Sequence, residues 1–274
     1  MQQPFATTDR SDTMTHTYYR IPTPALRAKS LRIAQVSDVH FSRSTGHGKN
    51  MRTIAELCES MQFLRPDVIA VTGDLVSRDT GPETIVDAVK CLNELRNFAP
   101  VLYTYGNHEA DLAPEKLHKL TKAAQSADIT LLNNRTITVG GANFSGFVLP
   151  YDCYKNNTGG YSQLRECTAQ DIYGALGIRE KTATVLLAHS PMGLAAYAQW
   201  GADVVLSGHV HGGIVRMPVL GGILSPERKF FPEYSKGQYH MKRTEMIVSA
   251  GIGKLRFGNP AEVVCVDLFL EQGR

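Results

Sequence analysis

Five short clusters along the chain hold residue types that ligate metal ions or move protons. They are Asp38-Val39-His40, Gly73-Asp74, Gly106-Asn107-His108-Glu109, His189, and Gly208-His209-Val210-His211. The clusters offer carboxylates, an amide oxygen and imidazoles, with no cysteine among them. Hard oxygen donors mixed with imidazoles suit first-row divalent cations such as Mn²⁺, Fe²⁺ or Zn²⁺. Taken singly, each cluster is ordinary. An Asp after a strand is commonly a turn residue, and a lone histidine is commonly a hydrogen-bonded structural one. The ordered series carries the weight, because every cluster follows an apolar run. In open α/β sheets, ligands bind beyond the carboxyl ends of the strands, so the clusters are expected to converge.

The runs that must position them are Leu31–Val36, Val68–Thr72, Val101–Tyr105, Thr184–Ala188 and Val204–Ser207, all short and apolar. Such runs read as buried strands. Apolar residues at helical spacing predict helices over Met51–Leu64, ended by Pro66, and over Glu83–Phe98 and Pro114–Ser126. Thr17–Ile21 reads as a short edge strand before Pro22 and Pro24. Residues 1–30 are therefore expected to be a lead-in to one domain over 31–274. In the second half, Thr130–Leu132, Thr136–Val139 and Asn143–Leu149 read as antiparallel strands around Gly140-Gly141. Tyr151–Lys181 is irregular, with a helix over Ala169–Leu176, and a further helix is expected over Met192–Trp200. Strands at Gln238–Met241, Glu245–Ser249 and Val263–Phe269 complete an α/β fold of the α+β type, with two sheets and outer helices. Gly73, Gly106 and Gly208 are expected to let the backbone turn sharply into the site.

Composition narrows the function classes. The 274 residues are 43% hydrophobic and 20% charged, ordinary for a globular chain. A formal charge of +3, dispersed along the sequence, gives no basic patch of the kind nucleic acids select. A nuclease is therefore disfavoured. The five cysteines have no CxxC spacing and read as reduced thiols. No apolar run approaches the ~18 residues of a membrane span, and the first thirty residues lack an apolar signal core. The expectation is a cytoplasmic protein, peripheral to a membrane if its substrate is a lipid.

The series resembles the calcineurin-like metallophosphoesterase superfamily from about Leu31 to Asp267. Within it, the chain is most similar to a bacterial branch of phosphodiesterases and phosphohydrolases. That likeness lies in Gly208-His209-Val210-His211-Gly212-Gly213 with Arg216-Met217-Pro218 nearby, and in the tail from Phe231-Pro232 to Arg256-Phe257-Gly258-Asn259-Pro260. The resemblance implies a four-layer fold, two mixed sheets between helices, and a centre of two divalent metal ions. It implies that Asp38, His40, Asp74 and His211 hold one ion. Asp74, Asn107, His189 and His209 would hold the other, with Asp74 bridging. It makes His108 a non-ligand histidine facing the scissile phosphate. Paired cations about 3.5–4 Å apart lower the pKa of water and neutralise charge building on a phosphoryl group.

The departures from the family pattern shape the substrate expectation. Arg78 stands where the phosphoprotein phosphatase branch has a phosphate-binding arginine, but that branch's arginine before Gly-Asn-His-Glu is Tyr105 here, and Phe41 replaces its glycine after Asp-x-His. A phosphoprotein phosphatase is thus disfavoured. Arg78 and Tyr105 remain candidate substrate contacts. The leading expectation is hydrolysis of a phosphodiester or pyrophosphate bond in a small substrate. The runner-up is a lipid-intermediate pyrophosphatase of the UDP-diacylglucosamine type, whose sequence hint is the apolar Phe230-Phe231. A non-catalytic scaffold is disfavoured, because relatives without chemistry lose motif histidines and all are present here.

Overall fold

The computed structural model describes residues 7–10, 14–156, 160, 163–213, 215–217, 221–224, 233–253 and 259–270. The chain builds two mixed sheets. The first has seven strands. In spatial order they are β1 (Thr7–Arg10), β2 (Thr15–Pro22), β15 (Glu262–Phe269), β3 (Ser30–Val36), β4 (Val68–Thr72), β5 (Val101–Thr104) and β6 (Thr130–Leu131). The second has six: β13 (Gly237–Met241), β14 (Thr244–Val248), β10 (Val204–Ser207), β9 (Thr184–Ala188), β8 (Ala142–Phe147) and β7 (Arg135–Val139). A separate hairpin joins β11 (Val215–Met217) to β12 (Gly221–Leu224).

Helices cover the outer faces. On the first sheet lie α1 (His47–Leu64), α2 (Pro82–Arg96) and α4 (Pro114–Ser126), while α3 (Asn107–Ala110) is a single turn at the end of β5. On the second lie α5 (Ala169–Leu176) and α6 (Leu194–Trp200). Three apolar layers separate these four. Ile69 and Val71 of β4 pack outward with Leu57, Met61 and Leu92 of the helices. Val68 and Ala70 of the same strand pack inward with Phe144, Leu187 and Leu206 of the second sheet. Leu186 and Val205 face Tyr197 and Trp200 on the far side. Alternation with period two explains how one uniformly apolar run serves two cores.

Helix α1 shows why its sequence folds as it does. Ile54, Leu57, Met61 and Leu64 form its buried stripe. Arg65 closes it in the left-handed region at φ 49°, its N–H donating to the Met61 carbonyl, and Pro66 prevents continuation.

Two expectations about pairing are corrected. Thr17–Ile21 lies within β2, which is flanked by β1 on one side and by parallel β15 on the other, so it is not an edge strand. Thr130–Leu131 does not join the antiparallel group. It pairs parallel to β5 in the first sheet, whereas β7 and β8 pair antiparallel as expected. Among the described residues, no helix is long and apolar enough to cross a membrane.

Candidate metal centre

The carboxyl ends of β3, β4, β5, β9 and β10 meet where the two sheets face each other. Asp38 is fully buried, takes a hydrogen bond from Ser37 Oγ at 2.6 Å, and receives the backbone N–H of His209 from the other sheet at 3.1 Å. Asp74 Oδ1 accepts the backbone N–H of His108 at 2.8 Å. Its Oδ2 lies 3.1 Å from His189 Nε2 and 3.8 Å from Nε2 of both His40 and His108. His40 and His211 stack with ring centres 4.9 Å apart and bring their Nε2 atoms to 3.1 Å.

Three groups of donor atoms emerge, each drawn together within 4.8 Å: Asp38, His40 and His211; His40, Asp74 and His108; and Asp74, His189 and His209. Asn107 begins α3 beside them, and its Oδ1 is buried without a hydrogen bond. A buried acceptor left unsatisfied needs an account, and a cation supplies one. His189 adds a second sign of fit: its Nδ1–H donates to the Thr72 carbonyl at 2.7 Å. That bond fixes the ring and turns Nε2 toward the carboxylates, the usual arrangement behind a ligating histidine. The residues present therefore fit divalent cations by donor chemistry and by orientation.

Backbone conformation separates these residues from their surroundings. Asp38, His40, Asp74, His209 and His211 all adopt left-handed φ between 52° and 71°, half of the ten non-glycine residues that do so among the described residues. Each such residue costs about 1–2 kcal/mol, a strain concentrated at functional sites. The glycines work differently from the sequence expectation. Gly73 does take φ 88°. Gly106 has φ −95°, and Gly208 is not left-handed either; both are glycine for want of space. A Cβ on Gly106 would sit 2.7 Å from the Asp74 nitrogen, and one on Gly208 would overlap Ser37 Oγ and Asp38 Oδ2.

Glu109 is the support that sequence reading passed over, although its place in Gly-Asn-His-Glu was the available signal. It is fully buried. Oε2 accepts the N–H of Asp74 at 2.9 Å and of Gly106 at 2.8 Å, and Oε1 that of Val76 at 3.0 Å. The segment after β14 is a second missed support: Ile252 N–H donates to Ser37 O at 3.0 Å and Gly253 N–H to Asp38 O at 2.5 Å.

The electrostatics follow from burial and from mutual charge. Burial alone would raise the Asp74 carboxyl, but the imidazoles of His189 and His108 outweigh it and hold it well below the usual range. Burial opposes charge on His189 too, yet Asp74 and Asp38 prevail and lift it to about 10. Burial dominates at His40, which falls to about 3, and lowers His108, where Asp74 opposes and Arg78 assists the fall. Burial and the Asp74 charge push Glu109 up to about 7 against its backbone hydrogen bonds.

Around the centre, Tyr105, Ala110, Val148, Leu149 and Tyr154 wall a narrow cleft that ends on Asn107, His189 and His209. Tyr105 is buried, and its hydroxyl lies 2.7 Å from Thr121 Oγ1. Arg78 is half-exposed, with Nε 2.9 Å from Asp111 Oδ2. His47 starts α1 and pairs with Asp87 at 2.8 Å, while His118 is on the exposed face of α4. Phe230-Phe231, Pro218 and the segment 254–258 lie outside the described residues.

A family model described as calcineurin-like phosphoesterase matches residues 31–213, well over half of the chain. An uncharacterized metallophosphoesterase of Campylobacter jejuni, Cj0846, is 26% identical over 249 residues, which cover 88% of this chain and 59% of that one. The phosphodiesterase YaeI of Escherichia coli is 24% identical over 228 residues, 83% of this chain and 77% of its own. Among solved structures, TT1561 of Thermus thermophilus superposes with a TM-score of 0.53 at 11% identity, covering 81% of this chain and 89% of that one, a likeness of fold. With five strand ends converging on a carboxylate–histidine cluster and a matching model across them, the chain belongs to the calcineurin-like phosphoesterase family.

Proposed function

We propose that the chain is a phosphodiesterase that works with two divalent cations. The observation that carries this is Asp74: its buried carboxylate groups with His40 and His108 on one side and with His189 and His209 on the other, and so can serve two cations at once. Asp38, His40 and His211 would complete one set, and Asn107, His189 and His209 the other. When bound, such cations lower the pKa of water and offset charge growing on the phosphoryl oxygens.

The chain's own residues do the rest. Asp38 and Asp74 bring only two carboxylates to the ions, and Asn107 contributes a neutral oxygen, so the loaded site keeps the positive potential an anionic substrate needs. His108 groups with His40 and Asp74, and with Asp38 and His211 completing that side it would stay outside both sets, its Nε2 delivering a proton to the departing ester oxygen. Glu109 holds the loops after β4 and β5 at fixed separation, which keeps Asp74 and His108 in one geometry.

A diester is favoured over a monoester by what surrounds the cluster. Arginine's planar fork is the usual grip on a free phosphate dianion. Tyr105 replaces one such arginine, and Arg78 is engaged by Asp111. The cleft walled by Tyr105, Val148, Leu149 and Tyr154 offers an uncharged surface to a second ester arm. With Mn²⁺ present, bis(p-nitrophenyl) phosphate is expected to show a higher kcat/KM than p-nitrophenyl phosphate. The two share a leaving group, so the comparison isolates recognition at phosphorus. A clear preference for the monoester would overturn the diesterase reading.

A further inference from the structure

Three segments meet on one carboxylate oxygen at the rim of the centre. Asp111 caps α3 and lies three residues after His108, so the two share a helix face. Its side chain is only 6% exposed. Oδ2 receives Nε of Arg78 at 2.9 Å, from the loop that follows Asp74, and it pairs as well with the ammonium of Lys155. Lys155 follows directly after Tyr154 of the cleft wall. Its side chain is 13% exposed, so the pair is largely withdrawn from water. Two cations and one anion leave a local charge of +1 where Arg78 and Lys155 alone would give +2.

That difference discriminates among phosphate esters. A change in local potential acts on a monoester dianion twice as strongly as on a diester monoanion. An arginine held through Nε is also fixed in direction, and that donor is no longer available to a free phosphate. We infer that Asp111 is the specificity-determining residue of this enzyme, holding Arg78 and Lys155 as a paired cluster and thereby selecting monoanionic diesters over dianionic monoesters. Asp111 acts as a positioning residue, through its two cations, and the inference rests on the diesterase reading above.

The readout is the ratio of kcat/KM for bis(p-nitrophenyl) phosphate to that for p-nitrophenyl phosphate, both measured on one preparation so that folded fraction and metal content cancel. Asp111→Asn is expected to lower the ratio on the order of tenfold, chiefly through a lower KM for the monoester. Inhibition by inorganic phosphate should tighten in parallel, which reads binding without turnover. Lys155→Met, which leaves Asp111 opposed by Arg78 alone, is expected to move the ratio the other way, and it stands as an independent test should Asp111→Asn fold poorly. A wild-type preference for the monoester would overturn the diesterase reading. A ratio that Asp111→Asn leaves within about twofold of wild type, or one that Lys155→Met lowers, would overturn the role of Asp111, whatever the wild type prefers.

Discussion

Asn107 and His108 are neighbours in sequence, and the proposed mechanism gives them different work. Asn107 presents a buried oxygen with no hydrogen bond, as a ligand should before a cation arrives. His108 sends its backbone N–H to Asp74 and leaves its ring 3.8 Å from the same carboxylate, nearer the edge of the site. His108→Ala is therefore expected to keep near-normal metal content while losing roughly 10²–10⁴-fold in rate, the span of general acid–base catalysis. The loss should shrink for esters with good leaving groups, which need little protonation. His209→Ala removes a donor from the Asp74–His189 group and should deplete metal. Metal analysis of both purified variants beside their rates decides the assignment, and equal depletion in the two would make His108 a ligand.

At the scale of elements, the strands that carry the site were legible because burial on both faces writes itself as an unbroken apolar run. Val68–Thr72, Thr184–Ala188 and Val204–Ser207 coincide with β4, β9 and β10. Pairing was less legible. β6 has two residues and therefore no periodicity to read, and β2 owes its interior place to β15, which lies more than two hundred residues away in the chain. Donor types at five strand ends pointed to a metal site, whereas the partition into two sets came from the family resemblance. Side-chain-to-backbone contacts across loops left little pattern, and Glu109 is the instance with most consequence. It ties the turn after β4 to the turn after β5 through three backbone N–H groups. Glu109→Ala would strand those three donors in a buried place at ~1–3 kcal/mol each, so a destabilisation on the order of 3–9 kcal/mol is expected. Thermal unfolding should show it as a large fall in Tm, with weaker metal retention, because Asp74 loses its anchor. An unchanged Tm would show that another group satisfies these N–H donors.

Taken whole, the molecule makes its candidate centre from both sheets, so neither sheet would hold cations alone. Asp38, Asp74 and Asn107 follow strands of the first sheet; His189, His209 and His211 follow strands of the second. Gln35 Nε2 donates to Ser207 O across the gap at 2.8 Å, and the His189 ring reaches the Thr72 carbonyl. In the metal-free protein the two buried carboxylates find their countercharge in His189, which they lift to about 10 from an ordinary value of about 6.5. A histidine raised in this way contributes stability that is fully present below the unfolded value and is lost as pH rises through about 10. Ligation needs the same ring neutral. Because Nδ1–H is committed to Thr72, the proton that must leave is the one on Nε2. Cation binding at about pH 8 is therefore expected to release that proton to solvent, and apparent affinity should climb up to about tenfold per pH unit on the acid side of the His189 transition. Calorimetric titration of the chelator-stripped protein with Mn²⁺, in two buffers of different ionisation enthalpy, counts the protons released. His189→Gln should release about one fewer than wild type at the same pH. Equal release from the two proteins would mean that His189 is already neutral before metal arrives, and that the buried carboxylates draw their countercharge from elsewhere.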